Sequence, residues 1–125
     1  MIALQYCPIT AADVEESVAF YRDALGLTVK NDVSNGGHRW VTLGGDGTAS
    51  VVISDPFEDA DTQLALIAKG ATQPIVFQAD DLDAAFERAT AAGAEVVQEP
   101  IVQPWGPRDC AFRDPSGHMV RISQV

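Results

Sequence analysis

Apolar and polar positions along this 125-residue chain alternate in short runs broken by glycine and proline, and the runs return in the same order twice. Leu4 to Ile9 reads as a strand. Asp13 then stands where a helix N-cap belongs, and Val14, Val18, Tyr21 and Leu25 recur at helical spacing before Gly26. Leu27 to Asn31 predicts another strand, and Gly37 to Ser54 a hairpin with a Gly-rich turn. In the second half Ile75 to Ala79 is a strand. A helix follows from about Leu82, with Leu82, Phe86 and Ala89 as its apolar stripe and Gly93 at its end. Glu95 to Gln98 is the next strand, and Gly106 to Ser123 the second hairpin, turning at Asp114-Pro115-Ser116-Gly117.

The two hairpins align at a constant offset of 69 residues without a gap, matching Gly37/Gly106, Arg39/Arg108, Val51/Val120, Ile53/Ile122 and Ser54/Ser123. Each half therefore reads βαβββ. The expected fold is α+β: one domain of two βαβββ modules, residues 1–55 and 73–125, forming a cupped mixed sheet. The linker, 56–72, is expected to carry a short helix over Gln63 to Ala68.

Side chains on a strand alternate between its faces, so the pattern also divides the sheets. Cys7, Ile9, Val51, Ile53, Ile75, Phe77, Val120 and Ile122 are assigned to the helix side and are uniformly apolar. The opposite face carries Tyr6, Pro8, Trp40, Thr42, Ser50, Val52, Pro74, Val76, Gln78, Asp109, Ala111, Met119, Arg121 and Ser123. Aromatics, hydroxyls, an amide and charges in that mixture suit a ligand-lined cleft.

Composition sharpens this only at the margins. Hydrophobic residues make up 46%, as in ordinary globular domains. Eighteen acidic against eight basic residues give a net charge of −10, which repels nucleic acid and anionic membranes and would attract a cationic ligand modestly. No apolar run approaches a membrane span, and the start reads as a strand rather than a targeting segment, so a cytoplasmic protein is the expectation. Cys7 and Cys110 fall inside apolar strands and are expected to be small buried hydrophobes.

Asp13-x-x-x-Ser17-x-x-Phe20-Tyr21-x-x-x-Leu25-Gly26 in the first half and Phe112-x-Asp114-Pro115-x-Gly117 in the second resemble the vicinal oxygen chelate superfamily, which includes glyoxalase I, extradiol dioxygenases and bleomycin resistance proteins. The resemblance covers nearly the whole chain. It implies paired modules around a site, commonly in a homodimer, and in the enzymes a divalent metal held by two first-strand and two last-strand side chains. Carried over by position, those sites fall on Tyr6 and Pro74, and on Val52 and Arg121. Val and Pro offer no lone pair and a guanidinium repels a cation, so no metal or other cofactor is expected. Neither histidine has metal-ligand spacing. His118 is expected at a surface turn, whereas His38 is either a rim residue or a ligand contact able to act as a base.

The resistance branch of that superfamily works without a metal, by sequestration. On that resemblance the chain is expected to hold a small organic molecule, an aromatic or cationic natural product such as an antibiotic, by sequestration rather than turnover. The expected contacts are Tyr6, His38, Trp40, Ser50, Val52, Gln78, Trp105, Asp109, Met119 and Arg121. Tyr6, Trp40 and Trp105 would stack on the ligand, with Gln78, Ser50, Ser54 and Ser123 as hydrogen-bonding groups. Asp109 and Arg121 would pair with the ligand or with each other. Trp105, in a stiff loop over Glu99 to Pro107, reads as a lid, a dimer contact or plain packing. Arg39 and Arg108 are expected to brace the hairpins. The alternative is a lyase or isomerase of the same superfamily, moving a proton from His38, Asp109 or Tyr6.

Overall fold

Two four-stranded sheets of identical plan carry the alternation read from the chain, and a computed structural model describes them through residues 1–125. The first module runs β1 (Tyr6–Thr10), α1 (Val14–Ala19), β2 (Thr28–Asn35), β3 (His38–Gly44) and β4 (Ser50–Ser54). A π-helical turn, Phe20–Ala24, continues α1. After α2 (Ala60–Ala68) the second module repeats the plan with β5 (Ile75–Ala79), α3 (Leu82–Ala91), β6 (Glu95–Val102), β7 (Arg108–Arg113) and β8 (Met119–Gln124). The orders are β1-β4-β3-β2 and β5-β8-β7-β6, with one parallel pair (β1 with β4, β5 with β8) in each sheet.

Local chemistry explains the boundaries. The side chains of Asp13 and Asp81 accept the N–H of Glu16 at 3.1 Å and of Ala84 at 3.0 Å, capping α1 and α3. The linker helix begins three residues earlier than expected, at Ala60. Strand β6 is the larger correction: it continues through Glu99, Pro100 and Ile101 to Val102, so only residues 103–107 connect it to β7. Proline is tolerated there because β6 is an edge strand whose register shifts between Val96 and Gln98 and again between Gln98 and Ile101.

The helix-facing set behaves as assigned. Ile9, Val51, Ile53, Val120 and Ile122 are buried in a single cluster of sixteen residues, with Cys7, Ile75 and Phe77 packed against it. That cluster draws on both modules, so neither half closes its core alone. Arg39 and Arg108 brace as expected, Arg39 holding Asp32 of β2 and Glu15 of α1, and Arg108 holding Asp83 of α3.

The β7–β8 turn is drawn into the protein rather than displayed on its surface. One carboxylate oxygen of Asp114 accepts the N–H groups of Ser116, Gly117 and His118 at 3.0, 3.0 and 2.9 Å, while the other accepts the Tyr21 hydroxyl at 2.7 Å. Ser116 receives the N–H of Ala12 at 2.9 Å and lies 3.3 Å from the hydroxyl of Ser17. Burial, reinforced by the Asp114 charge, raises the Tyr21 phenol well above its ordinary pKa and keeps it a donor. Gly117 sits at φ +115°, and a Cβ there would stand 2.6 Å from the Ile67 carbonyl of α2, so only glycine fits.

His118 follows this turn inward and is 7% exposed, which corrects the expectation of a surface residue. Its Nε2 donates to the Thr10 carbonyl at 2.7 Å. The physical reason is that the tip of the second hairpin docks between β1 and α2 instead of projecting into water. Cys110 is fully buried, and burial pushes its thiol up to about 11, leaving it protonated and unreactive at neutral pH.

Two outcomes follow. Tyr21→Phe strips Asp114 of one buried donor and should lower stability by about 1–3 kcal/mol in urea unfolding, while an unchanged midpoint would show that the bond contributes nothing. Native protein treated with iodoacetamide should keep Cys110 unmodified until it is unfolded, as read by peptide mass.

Candidate functional site

The faces turned away from the helices form two plates with different linings. Strand register aligns their rows. In the first module Pro8, Val52, Thr42 and Asn31 stand across the sheet, with Ser54, Trp40 and Val33 in the next row. In the second, Val76, Arg121, Ala111 and Gln98 stand across it, with Gln78, Ser123 and Asp109 in the next. The repeat thus sets Trp40 in one half against Asp109 in the other, and Val52 against Arg121.

In the first plate Tyr6, Trp40, Ser50 and Val52 meet around a cavity of about 280 Å³, completed by Gln5, Asn31 and Thr42. A second cavity of about 550 Å³ opens where the edge strands β1 and β5 face one another. Its walls include Leu4, Pro8, Pro74 and Val76 and, from the helix side, Cys7, Ile9, Val51, Ile75, Phe77 and His118, and Ser50 lines both cavities, so the two adjoin. Their combined lining is apolar and aromatic with a few hydroxyl and amide groups, the usual make-up of a small-molecule site.

His38 points along the same face as Trp40 but is engaged at the rim. Its Nδ1 lies 2.6 Å from the carboxylate of Asp55, which also accepts the Arg39 N–H at 3.0 Å. The Arg39 N–H and the His38 ring together hold the Asp55 carboxyl below the usual carboxylate range, against the opposing effect of partial burial. Phe57 stacks on the imidazole with ring centres 4.3 Å apart and stands 6.4 Å from Trp40.

The second plate is polar and internally bonded. Asp109 accepts the side-chain amides of Gln98 at 2.9 Å and Gln103 at 2.8 Å, and Nη1 of Arg121 at 3.2 Å. That Nη1 also reaches the Gln98 carbonyl oxygen at 3.2 Å. Burial works against the charge of Asp109, but these donors prevail and hold its carboxyl below the ordinary range. Of the two readings of Asp109 and Arg121, the pairing with each other is present.

The remaining expected contacts are more scattered. Gln78 is exposed opposite Ser123, and Met119 is half-buried opposite Arg113 at the start of β8. Trp105 is 76% exposed in the connection between β6 and β7, so it does not pack over the sheet edge. Sequence reasoning missed Gln98, Gln103, Asn31, Asp55 and Phe57. The period-two rule could have placed Asn31 with Trp40, but the bulges in β6 hide Gln98 from any such count.

The side chains at the four positions inferred to correspond to metal ligands do not suit a divalent ion. Register sets Val52 beside Pro8 and Arg121 beside Val76, and Pro74 lies just before β5. No three His, Cys, Asp or Glu side chains lie close enough together to hold a metal. Nor is any helix long and apolar enough to cross a membrane.

Comparison with known proteins supports the architecture. UcmS2 shares 31% identity and a TM-score of 0.86, over 100% of this chain and 99% of that one. TnmS3, an antibiotic binding protein from Streptomyces sp. CB03234, is 26% identical with a TM-score of 0.80, over 99% and 96%. A glyoxalase I mutant from Zea mays is similar in fold at 16% identity and a TM-score of 0.81, covering 98% of this chain and 45% of that one. No curated protein matches the sequence. A family model described as Glyoxalase/Bleomycin resistance protein/Dioxygenase superfamily matches residues 3–122. The chain belongs to that superfamily.

Proposed function

We propose that this protein is a binding protein that sequesters a small aromatic molecule, an antibiotic or related natural product, in a cleft completed by a second copy of the chain. The observation that carries the reading is the pair of adjoining cavities, about 550 and 280 Å³, in which Tyr6 and Trp40 offer ring faces and Ser50 and Thr42 directional hydroxyls. Similarity to TnmS3, an antibiotic binding protein, supports it. So do the apolar side chains left open on a single chain: Tyr6 is 46% exposed, Val76 64% and Trp105 76%. Exposure of such large apolar groups is costly in water and is relieved by a ligand and a partner surface. Residues 1–55 and 73–125 act as the two half-sites, with Trp105 at the rim.

A second reading rests on one contact. Asp55 fixes the His38 ring through Nδ1, which leaves Nε2 as the proton acceptor on a ring that Phe57 stacks against, the arrangement of a general base. On this reading the chain is a lyase or isomerase acting on the same class of ligand.

Titration with acridine and carbazole should quench intrinsic fluorescence, and Trp40→Ala should weaken binding by about tenfold, as expected for losing one stacked ring and its burial. A panel of such planar heteroaromatics that leaves the fluorescence unchanged would count against the site. Mass analysis of the recovered ligand separates the two readings: unaltered ligand supports sequestration, whereas a change in wild type that His38→Ala abolishes would establish turnover. Sedimentation should give twice the chain mass.

A further inference from the structure

The second plate carries an unused hydrogen-bonding edge. Arg121 stands in the middle of the row Val76–Arg121–Ala111–Gln98, with its side chain 27% exposed. Both protein partners of its guanidinium, Asp109 and Gln98, are reached through Nη1. Nε and Nη2 make no hydrogen bond within the protein, and neither is sealed from solvent. These two N–H groups lie parallel on one side of the guanidinium, the spacing that receives two oxygens of one planar group.

Asp109 balances the charge of Arg121 but does not occupy this edge. Its side chain is 10% exposed, one oxygen is taken by two glutamine amides and the other by Arg121. The carboxylate therefore orients the guanidinium from behind, while the open donors face outward. Gln98 and Gln103 complete the support, because each spends its amide nitrogen on Asp109. A rigid, pre-oriented fork of this kind loses little entropy on taking a ligand.

Resting on the binding function proposed above, we infer that the ligand carries a planar two-oxygen acceptor, with a carboxylate its strongest form, which docks side-on to Nε and Nη2 of Arg121 while its aromatic body occupies the Tyr6–Trp40 lining. The ligand class is thus an aromatic acid or an equivalent chelating dioxygen group, and not the cation that net charge alone would favour. The long-range field of a chain of net charge −10 draws ammonium compounds and repels carboxylates. A preference for carboxylate consequently reports the local fork and nothing more remote.

The test uses three naphthalenes of equal ring size: 2-naphthoate, 2-naphthylmethylammonium and 2-methylnaphthalene, titrated by calorimetry into the wild-type protein. Naphthoate should bind at least about tenfold tighter than the ammonium compound, as expected for charge-assisted bidentate bonds. Arg121→Met should abolish the naphthoate preference and leave the ammonium compound bound at least as tightly as naphthoate, while 2-methylnaphthalene binds as before. Arg121→Lys keeps the charge and a partner for Asp109 but loses the parallel edge, so it should keep only part of the preference. If Arg121→Met does not fold, the wild-type ranking and Arg121→Lys decide. Equal binding of naphthoate and ammonium, or a naphthoate preference untouched in either variant, overturns the inference. In that case binding of 2-methylnaphthalene leaves the sequestration reading standing. Failure of all three to bind overturns both.

Discussion

A single buried carboxylate ties the two halves of this protein together. Asp114 accepts three backbone N–H groups from its own turn and a hydroxyl from Tyr21 of the other module, so the turn is shaped and docked by the same side chain. Ser17, Ser116 and His118 extend the network to α1 and β1, and Gly117 lets α2 close over it. Buried polar groups satisfied this completely add specificity of assembly to an apolar core that is itself shared. The crevice along β1 and β5 lies against this joint, since His118 forms part of its wall.

The repeat supplies two copies of a plate, and substitution has made them unlike. Position for position, the first carries Val52, Thr42 and Trp40 where the second carries Arg121, Ala111 and Asp109. One is a surface for ring faces and the other a tethered cation. On the proposed binding function, such division would let a pseudo-symmetric frame hold a guest that is not symmetric, an aromatic body at one end and oxygen acceptors at the other. The position inferred for a carboxylate ligand in the metal-binding relatives is occupied by Arg121, whose guanidinium would repel the cation that a carboxylate holds.

Legibility in the sequence followed the range of the forces involved. The βαβββ order, the caps at Asp13 and the division of faces rest on local periodicity, and they stand in the structure. The motif residues Ser17, Tyr21, Asp114 and Gly117 announced the family because they touch one another across the module joint, although their spacing along the chain gives no hint of that contact. His118 was misjudged for the same reason: a residue after a tight turn looks exposed unless one knows what the turn docks against. The site was read less fully. Tyr6, Trp40, Ser50 and Val52 followed from period two, whereas Gln98 lies where bulges break the count and Gln103 lies beyond the end of β6. Asp55 and Phe57 reach His38 from beyond β4, a distance that pattern reading does not cover.

One consequence concerns inheritance. The residues that cement the joint and those that line the Trp40 cavity are disjoint sets, since Tyr21, Asp114, Ser116 and Gly117 are absent from that lining and only His118 of the joint reaches the larger cavity. On the proposed binding function, point changes around Trp40 would alter the guest without touching the side chains of the joint. The same independence makes the frame a practical chassis for building receptors toward molecules that nature never offered it.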